Sequence, residues 1–209
     1  MSAAVLVLPG GGYRSHAPHE AEPIVEWFRG LGLSASVLRY PLGRHPAPTL
    51  AVHERIAELR SSGIRRVLLA GFSAGGHVAA LAALTATRPE RSVDGVMLGY
   101  PVVSFENRPH EGSVAVLLGS APDKAQRREV SAERRVHAGA PPFFAFHARD
   151  DETVPPSHSL ALGDALARVG VDHELHIYAR GGHGGGVAHN GGAWLPAAAS
   201  WLGRQGWLA

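Results

Sequence analysis

Residues 71–77 read GFSAGGH and follow directly on the apolar run Val67-Leu68-Leu69-Ala70. A serine between small residues, after a strand-like run and before an alanine-rich stretch, has two readings. Ser73 either N-caps a helix, a role that serine often takes, or it is a nucleophile on a tight strand-to-helix turn. Such a turn requires neighbours without bulky side chains, and Gly71, Ala74, Gly75 and Gly76 meet that demand. A helix starting there would also aim its N-terminal amides at charge developing near Ser73.

Outward from that turn, short apolar or β-branched runs alternate with longer helical patterns. Strands are expected at 5–8, 35–40, 65–70, 93–100, 143–147 and 173–178. Helices are expected at 18–31, 49–62, 76–86, 157–169 and 193–202, with a proline-rich loop over 41–48. Strands separated by helices of this length imply βαβ crossovers, so the fold class is α/β. About six mostly parallel strands are expected, with helices on both faces. Residues 104–141 break the rhythm with Gly, Pro and charge clusters and short apolar pieces such as Val114 to Leu118. A long insertion of this kind is a decorated surface loop or a small cap forming a substrate wall. No repeat or linker divides the chain, and 1–209 reads as a single domain without a large cap.

With 209 residues, 45% apolar and 18% charged, the chain has the composition of an ordinary globular domain. The formal charge of +2 includes a single lysine, Lys124, and scattered arginines, which gives no support to a nucleic-acid groove. Cysteine is absent, which removes disulfides, thiolate catalysis and cysteine-ligated zinc. The N-terminal apolar run is too short for a signal segment or a membrane span. A cytoplasmic location is the expectation.

A serine hydroxyl attacks well only when a base takes its proton, so the nucleophile reading requires a histidine oriented by a carboxylate. In open parallel sheets such groups stand beyond the carboxyl ends of strands. Two loops qualify, in the order Ser, Asp, His. Arg149 to Pro155 follows the strand at 143–147 and carries Asp150 and Asp151; Ala179 to Gly184 follows the last strand and carries His183. In isolation His183 is also a surface histidine and the aspartates a solvated turn; order and placement together favour chemistry. An oxyanion needs backbone donors, and Pro9-Gly10-Gly11-Gly12-Tyr13 after the first strand, with the Ala74 amide, can supply them. A phosphate loop would need a lysine that is missing, and Ser15 stands where a dinucleotide fingerprint needs its third glycine. His16 and His19 in HAPHE lie one helical turn apart, but without further ligands they make a poor case for metal.

The pieces LPGGGY (8–13), HPAP (45–48), GFSAGGH (71–77), GYPVVS (99–104), DDETVP (150–155) and GGHG (181–184) span nearly the whole chain. Together they resemble the α/β-hydrolase serine esterases, in particular small carboxylesterases, acetyl-xylan esterases and prolyl-oligopeptidase-type catalytic domains. The resemblance implies a Ser73, Asp151, His183 triad, since Asp151 stands four residues before the proline of D-x-x-V-P, with Asp150 as the runner-up. It also implies oxyanion donors at Gly11, Gly12 and Ala74, no cofactor, and hydrolysis of short-acyl esters of small molecules, acetylated carbohydrate among them. Pro9 replaces the histidine common in the oxyanion loop, which should reshape the loop without abolishing its amides. The oxyanion strand starts within the first few residues, which implies a minimal version of the fold. Tyr13, Arg14, His77 and Phe105, near motif residues in sequence, are candidates to line the substrate pocket. Peptide or amide cleavage, or a hydrolase fold used only to bind a ligand, are the competing readings.

Overall fold

The computed structural model describes residues 2–208. Six strands form one parallel sheet: β1 (Ala3–Leu8), β2 (Ala35–Val37), β3 (Arg66–Phe72), β4 (Gly95–Gly99), β5 (Phe143–Ala148) and β6 (His173–Tyr178). Their spatial order is β2-β1-β3-β4-β5-β6, with every neighbouring pair parallel. The helices α1 (Glu22–Gly30), α2 (Ala47–Ser61), α3 (Ala74–Thr85), α4 (Glu111–Leu117), α5 (Lys124–Val130), α6 (Ser157–Arg168) and α7 (Trp194–Arg204) connect or flank them.

The period-2 direction of strand side chains divides the core into two layers. Leu6, Leu8, Val67, Leu69, Val96 and Leu98 face α2, α3 and α6. Val5, Val7, Leu68, Ala70, Met97 and Phe146 face α1 and α7. On the second face Phe146 stacks on Trp194 with centroids 4.5 Å apart, and Phe144 meets Trp201 at 5.8 Å. Both faces of β3 and β4 are covered, which is why these strands read as continuous apolar runs rather than alternating ones.

β2 is shorter than its expected 35–40, ending at Val37. Beyond Leu38, whose N–H still donates to Val7 O, the chain leaves the sheet and Tyr40 turns inward to donate its hydroxyl to Pro9 O. The segment 104–141 contains two seven-residue helices, too short to show an amphipathic period in sequence. Val114, Leu117, Val130 and Ala132 pack into the same apolar layer as α2, α3 and α6.

Two buried histidines anchor that segment. His77 Nε2–H donates to Val130 O at 2.6 Å, while its Nδ1 accepts from the Tyr13 hydroxyl. His158 Nδ1 accepts from the N–H groups of Val103 and Ser104 at 2.9 and 3.1 Å, and its Nε2–H donates to Arg108 O. Burial is the main cause that lowers both rings to about 4. In the unfolded chain histidine titrates near 6.5, so on acidification the unfolded state takes up these protons first. Stability is therefore lost as pH falls from about 6.5 to 4, by on the order of 3 kcal/mol for each ring once the window is crossed. A thermal melt series should show Tm falling between pH 7 and pH 4.5. An unchanged Tm across that range would contradict the buried neutral state of these two side chains.

Candidate active site

The strand order reverses at β1: the chain first adds β2 on one side and then β3 on the other. The crevice beyond the carboxyl ends of β1 and β3 is where such sheets bind ligands, and the glycine loop after β1 and Ser73 after β3 both stand there. Close approach dictates the composition of the turn. A Cβ on Gly75 would lie 2.1 Å from Leu8 O, and one on Gly71 would lie 2.5 Å from Gly75 O. Ser73 itself has φ +52° and ψ −119°. That conformation costs a non-glycine residue about 1–3 kcal/mol, and it lifts the side chain out of the strand-to-helix corner. Ser73 makes no side-chain helix cap. Its hydroxyl is used elsewhere.

Ser73 Oγ–H donates to His183 Nε2 at 2.8 Å, and His183 Nδ1–H donates to Asp151 Oδ2 at 2.7 Å. A carboxylate only accepts, so the ring proton sits on Nδ1 and leaves Nε2 as the acceptor. Asp151 is buried, and its Oδ1 accepts from the N–H groups of Thr153 and Val154 at 3.0 and 2.8 Å. The Nε2–H of His147, a buried residue at the end of β5, is shared between Asp151 Oδ2 at 3.1 Å and Val154 O at 2.8 Å. Burial by itself would raise the Asp151 carboxyl; the hydrogen bonds from His147 and His183 outweigh it and hold the group well below the usual carboxylate range. Asp150 is exposed, and its Oδ1 accepts from Gly182 N–H at 2.9 Å, so it braces the histidine loop without touching His183.

A cavity of about 610 Å³ opens over this relay, with Gly11, Gly12, Ser73 and His183 in its lining. The Gly10 amide is bound to Glu20, whereas no acceptor takes the Gly11 or Gly12 amide among the described residues. Ala74, as the first residue of α3, has an N–H without an intrahelical partner. Glu20 and His110 also face the cavity. His110 N-caps α4, its Nδ1 accepting from Ser113 N–H at 3.2 Å, so the neutral ring carries its proton on Nε2.

Three of the expected pocket residues lie elsewhere. Tyr13, His77 and Phe105 are buried in the apolar layer with α2 and α3, where Phe105 packs on His77 with ring centroids 4.6 Å apart. Position next to a motif does not fix direction: one turn along α3 from Ser73, His77 points toward Val130. Arg14 is exposed and is not among the cavity-lining residues. His16 sits edge-on to Tyr40 at 4.9 Å, while His19 lines the cavity. Glu20, Tyr100, His110 and His147 carry no functional signal of their own in the sequence. Glu20 reads there as a polar residue at a helix start, and Tyr100 and His147 as parts of strands.

The model of the prolyl oligopeptidase family matches residues 48–206, about three quarters of the chain and all of the Ser73, Asp151 and His183 loops. The chain belongs to the prolyl oligopeptidase family. Its fold is that of the α/β-hydrolases. An acetyl ester-xyloside bifunctional hydrolase from Caldicellulosiruptor lactoaceticus is 34% identical and superposes with a TM-score of 0.93, covering 100% of this chain and 85% of that one. A carboxylesterase from Lactobacillus plantarum, 26% identical, superposes with a TM-score of 0.85 over 100% of this chain and 87% of its own. Among curated relatives, endo-1,4-beta-xylanase B of Butyrivibrio fibrisolvens is 30% identical over 89% of this chain and 33% of its own length. Esterase LipQ of Mycobacterium tuberculosis is 28% identical over 81% of this chain and 47% of its own. This member of the family therefore spans a third to just under half of those curated relatives. The glycine loop after β1 precedes the region that the family model matches. No helix among the described residues is long and apolar enough to cross a membrane.

Proposed function

We propose that the chain is a serine hydrolase of carboxylic esters, acting through an acyl-enzyme on short acyl groups. The single observation that carries this reading is the unbroken relay from Ser73 through His183 to Asp151, at 2.8 and 2.7 Å, beneath an accessible cavity. His183 Nε2 takes the Ser73 proton as Oγ attacks the ester carbonyl. The oxyanion is held by the amides of Gly11 or Gly12 and of Ala74, groups already free of other partners. His183 then passes its proton to the departing alcohol, and water repeats the two steps on the acyl-enzyme. The ring can do both because Asp151 stabilises the imidazolium without becoming protonated. This chemistry requires no cofactor.

Short acyl groups are favoured by the make-up of the wall. Among the described residues the cavity is lined by glycine, alanine and polar side chains, with no long apolar side chain to hold an extended acyl chain. The polar rim suits a hydroxyl-rich alcohol, and acetylated carbohydrate is the substrate class in best accord with it. Esterase names among the relatives support the ester reading.

Incubation with a fluorophosphonate probe should add one phosphonyl group to the peptide containing Ser73, as read by mass spectrometry. Absence of labelling would remove the nucleophile and leave a ligand-binding module. A second reading, amide hydrolysis, has the family description alone behind it and is not favoured beside the esterase names. Turnover of a p-nitrophenyl acetate against an aminoacyl p-nitroanilide separates the two, and the ester should be the faster by orders of magnitude.

A further inference from the structure

Glu20 is only 2% exposed, yet both of its carboxylate oxygens are committed, each to a different loop of the site. Oε2 accepts from Gly10 N–H at 2.7 Å, and Oε1 accepts from the Tyr100 hydroxyl at 2.8 Å. The Tyr100 oxygen in turn accepts from Gly186 N–H at 2.9 Å, and Gly186 O accepts from Trp194 Nε1–H at 3.0 Å. Tyr100 also presents its ring edge-on to His183, with centroids 5.1 Å apart. The nearest cation candidate is the half-exposed His19, at 3.6 Å. A buried carboxylate with so little charge compensation is costly to keep. It is costlier still beside a site where negative charge develops, so its retention calls for a reason.

We propose that Glu20 is a positioning residue that ties the oxyanion loop to the histidine loop. Gly10 is held facing the carboxylate and cannot turn its amide into the cavity. Within this loop, the donors left for the substrate oxygen are those of Gly11 and Gly12, beside the Ala74 amide from the helix start. The space is tight enough to make the contact specific: a Cβ on Gly10 would lie 2.7 Å from Glu20 Oε2 and 2.8 Å from Ser73 Cβ. Through Tyr100 the same carboxylate fixes Gly186, three residues beyond His183. A neutral apolar side chain of the same size would leave the Gly10 amide and the Tyr100 hydroxyl without acceptors.

This inference rests on the ester-hydrolase reading for its kinetic arm, and on the tether alone for its exchange arm. Glu20→Gln keeps the volume and one acceptor but turns the other arm into a donor; Tyr100→Phe cuts only the connection to the histidine loop. Glu20→Gln should lower kcat for p-nitrophenyl acetate by about 10- to 100-fold, the scale of a misplaced oxyanion donor, with KM within about twofold. Affinity for a boronic acid transition-state analogue should fall by the same factor. The double variant should lose little beyond Glu20→Gln, since both changes cut one relay. Hydrogen exchange should quicken at Gly186 in both single variants, and at Gly10 only in Glu20→Gln.

A rise in KM at unchanged kcat would make Glu20 a substrate contact and overturn the proposal. So would losses in the two variants that multiply, or exchange rates unchanged at both amides. If Glu20→Gln fails to fold, Tyr100→Phe carries the same kinetic and Gly186 exchange tests. If the wild-type protein turns over no ester, the functional reading fails while the exchange arm still decides the tether.

Discussion

Ser73→Ala should reduce kcat on a short p-nitrophenyl ester by about a million-fold, the scale seen when the nucleophile of such a relay is removed. The loss is large because the proposed mechanism forms its covalent bond through this hydroxyl, and no neighbouring side chain can substitute for it. The fold should survive. Ser73 Oγ has one hydrogen-bond partner, His183, and supports neither the helix start nor the core. Alanine would inherit the same φ of +52°, so the strain of the turn is unchanged and Tm should move by no more than a few degrees. The comparison needs steady-state kinetics and a thermal melt on the same preparations. A variant that keeps wild-type turnover would end the assignment of Ser73 as nucleophile.

Asp151→Asn should cost about four orders of magnitude in kcat, through a tautomer rather than through lost charge alone. The Thr153 and Val154 amides both donate to Oδ1, at 3.0 and 2.8 Å, so the asparagine oxygen is drawn to that position. Its NH₂ then occupies the Oδ2 position, facing His183 Nδ1. A donor there forces the ring proton onto Nε2, where it opposes the Ser73 hydroxyl and removes the base. Nitrogen chemical shifts of the His183 ring should report the change directly. Asp150→Asn is the control: exposed and joined only to the Gly182 amide, it should change kcat by less than about tenfold. Equal losses in the two variants would mean that the carboxylate has been assigned to the wrong residue.

The parts of this protein that could be read from sequence are those where one local rule governs. β1 and β3 are covered on both faces, and their apolar runs announce it. Gly71 and Gly75 are glycines because other backbone passes within van der Waals distance, and that demand is visible in the order of small residues around Ser73. Asp151 and His183 stand out in sequence because each follows a strand in a loop of turn-forming residues, and the structure brings the two within 2.7 Å of each other. The remainder depends on tertiary contact. β2 stops at Val37 because Tyr40 must reach Pro9 O, a partner 31 residues away. The helices of 104–141 are too short for a period, and Val114, Leu117 and Val130 take their direction from the layer they join. Tyr13, His77 and Phe105 stand beside motifs but look into the core. Glu20 and His147 act through partners on other loops, so no spacing along the chain marks them.

The insertion between β4 and β5 is woven into the layer that supports Ser73. Val130 O receives the ring proton of His77, one turn along the helix that begins after Ser73. Deleting this segment to widen a pocket would therefore strip an acceptor from a buried imidazole and loosen the helix that begins after Ser73. Even at His110, which reaches the cavity margin, an exchange would have to keep an acceptor for Ser113 N–H, because that ring caps the helix that carries Val114 and Leu117 into the layer.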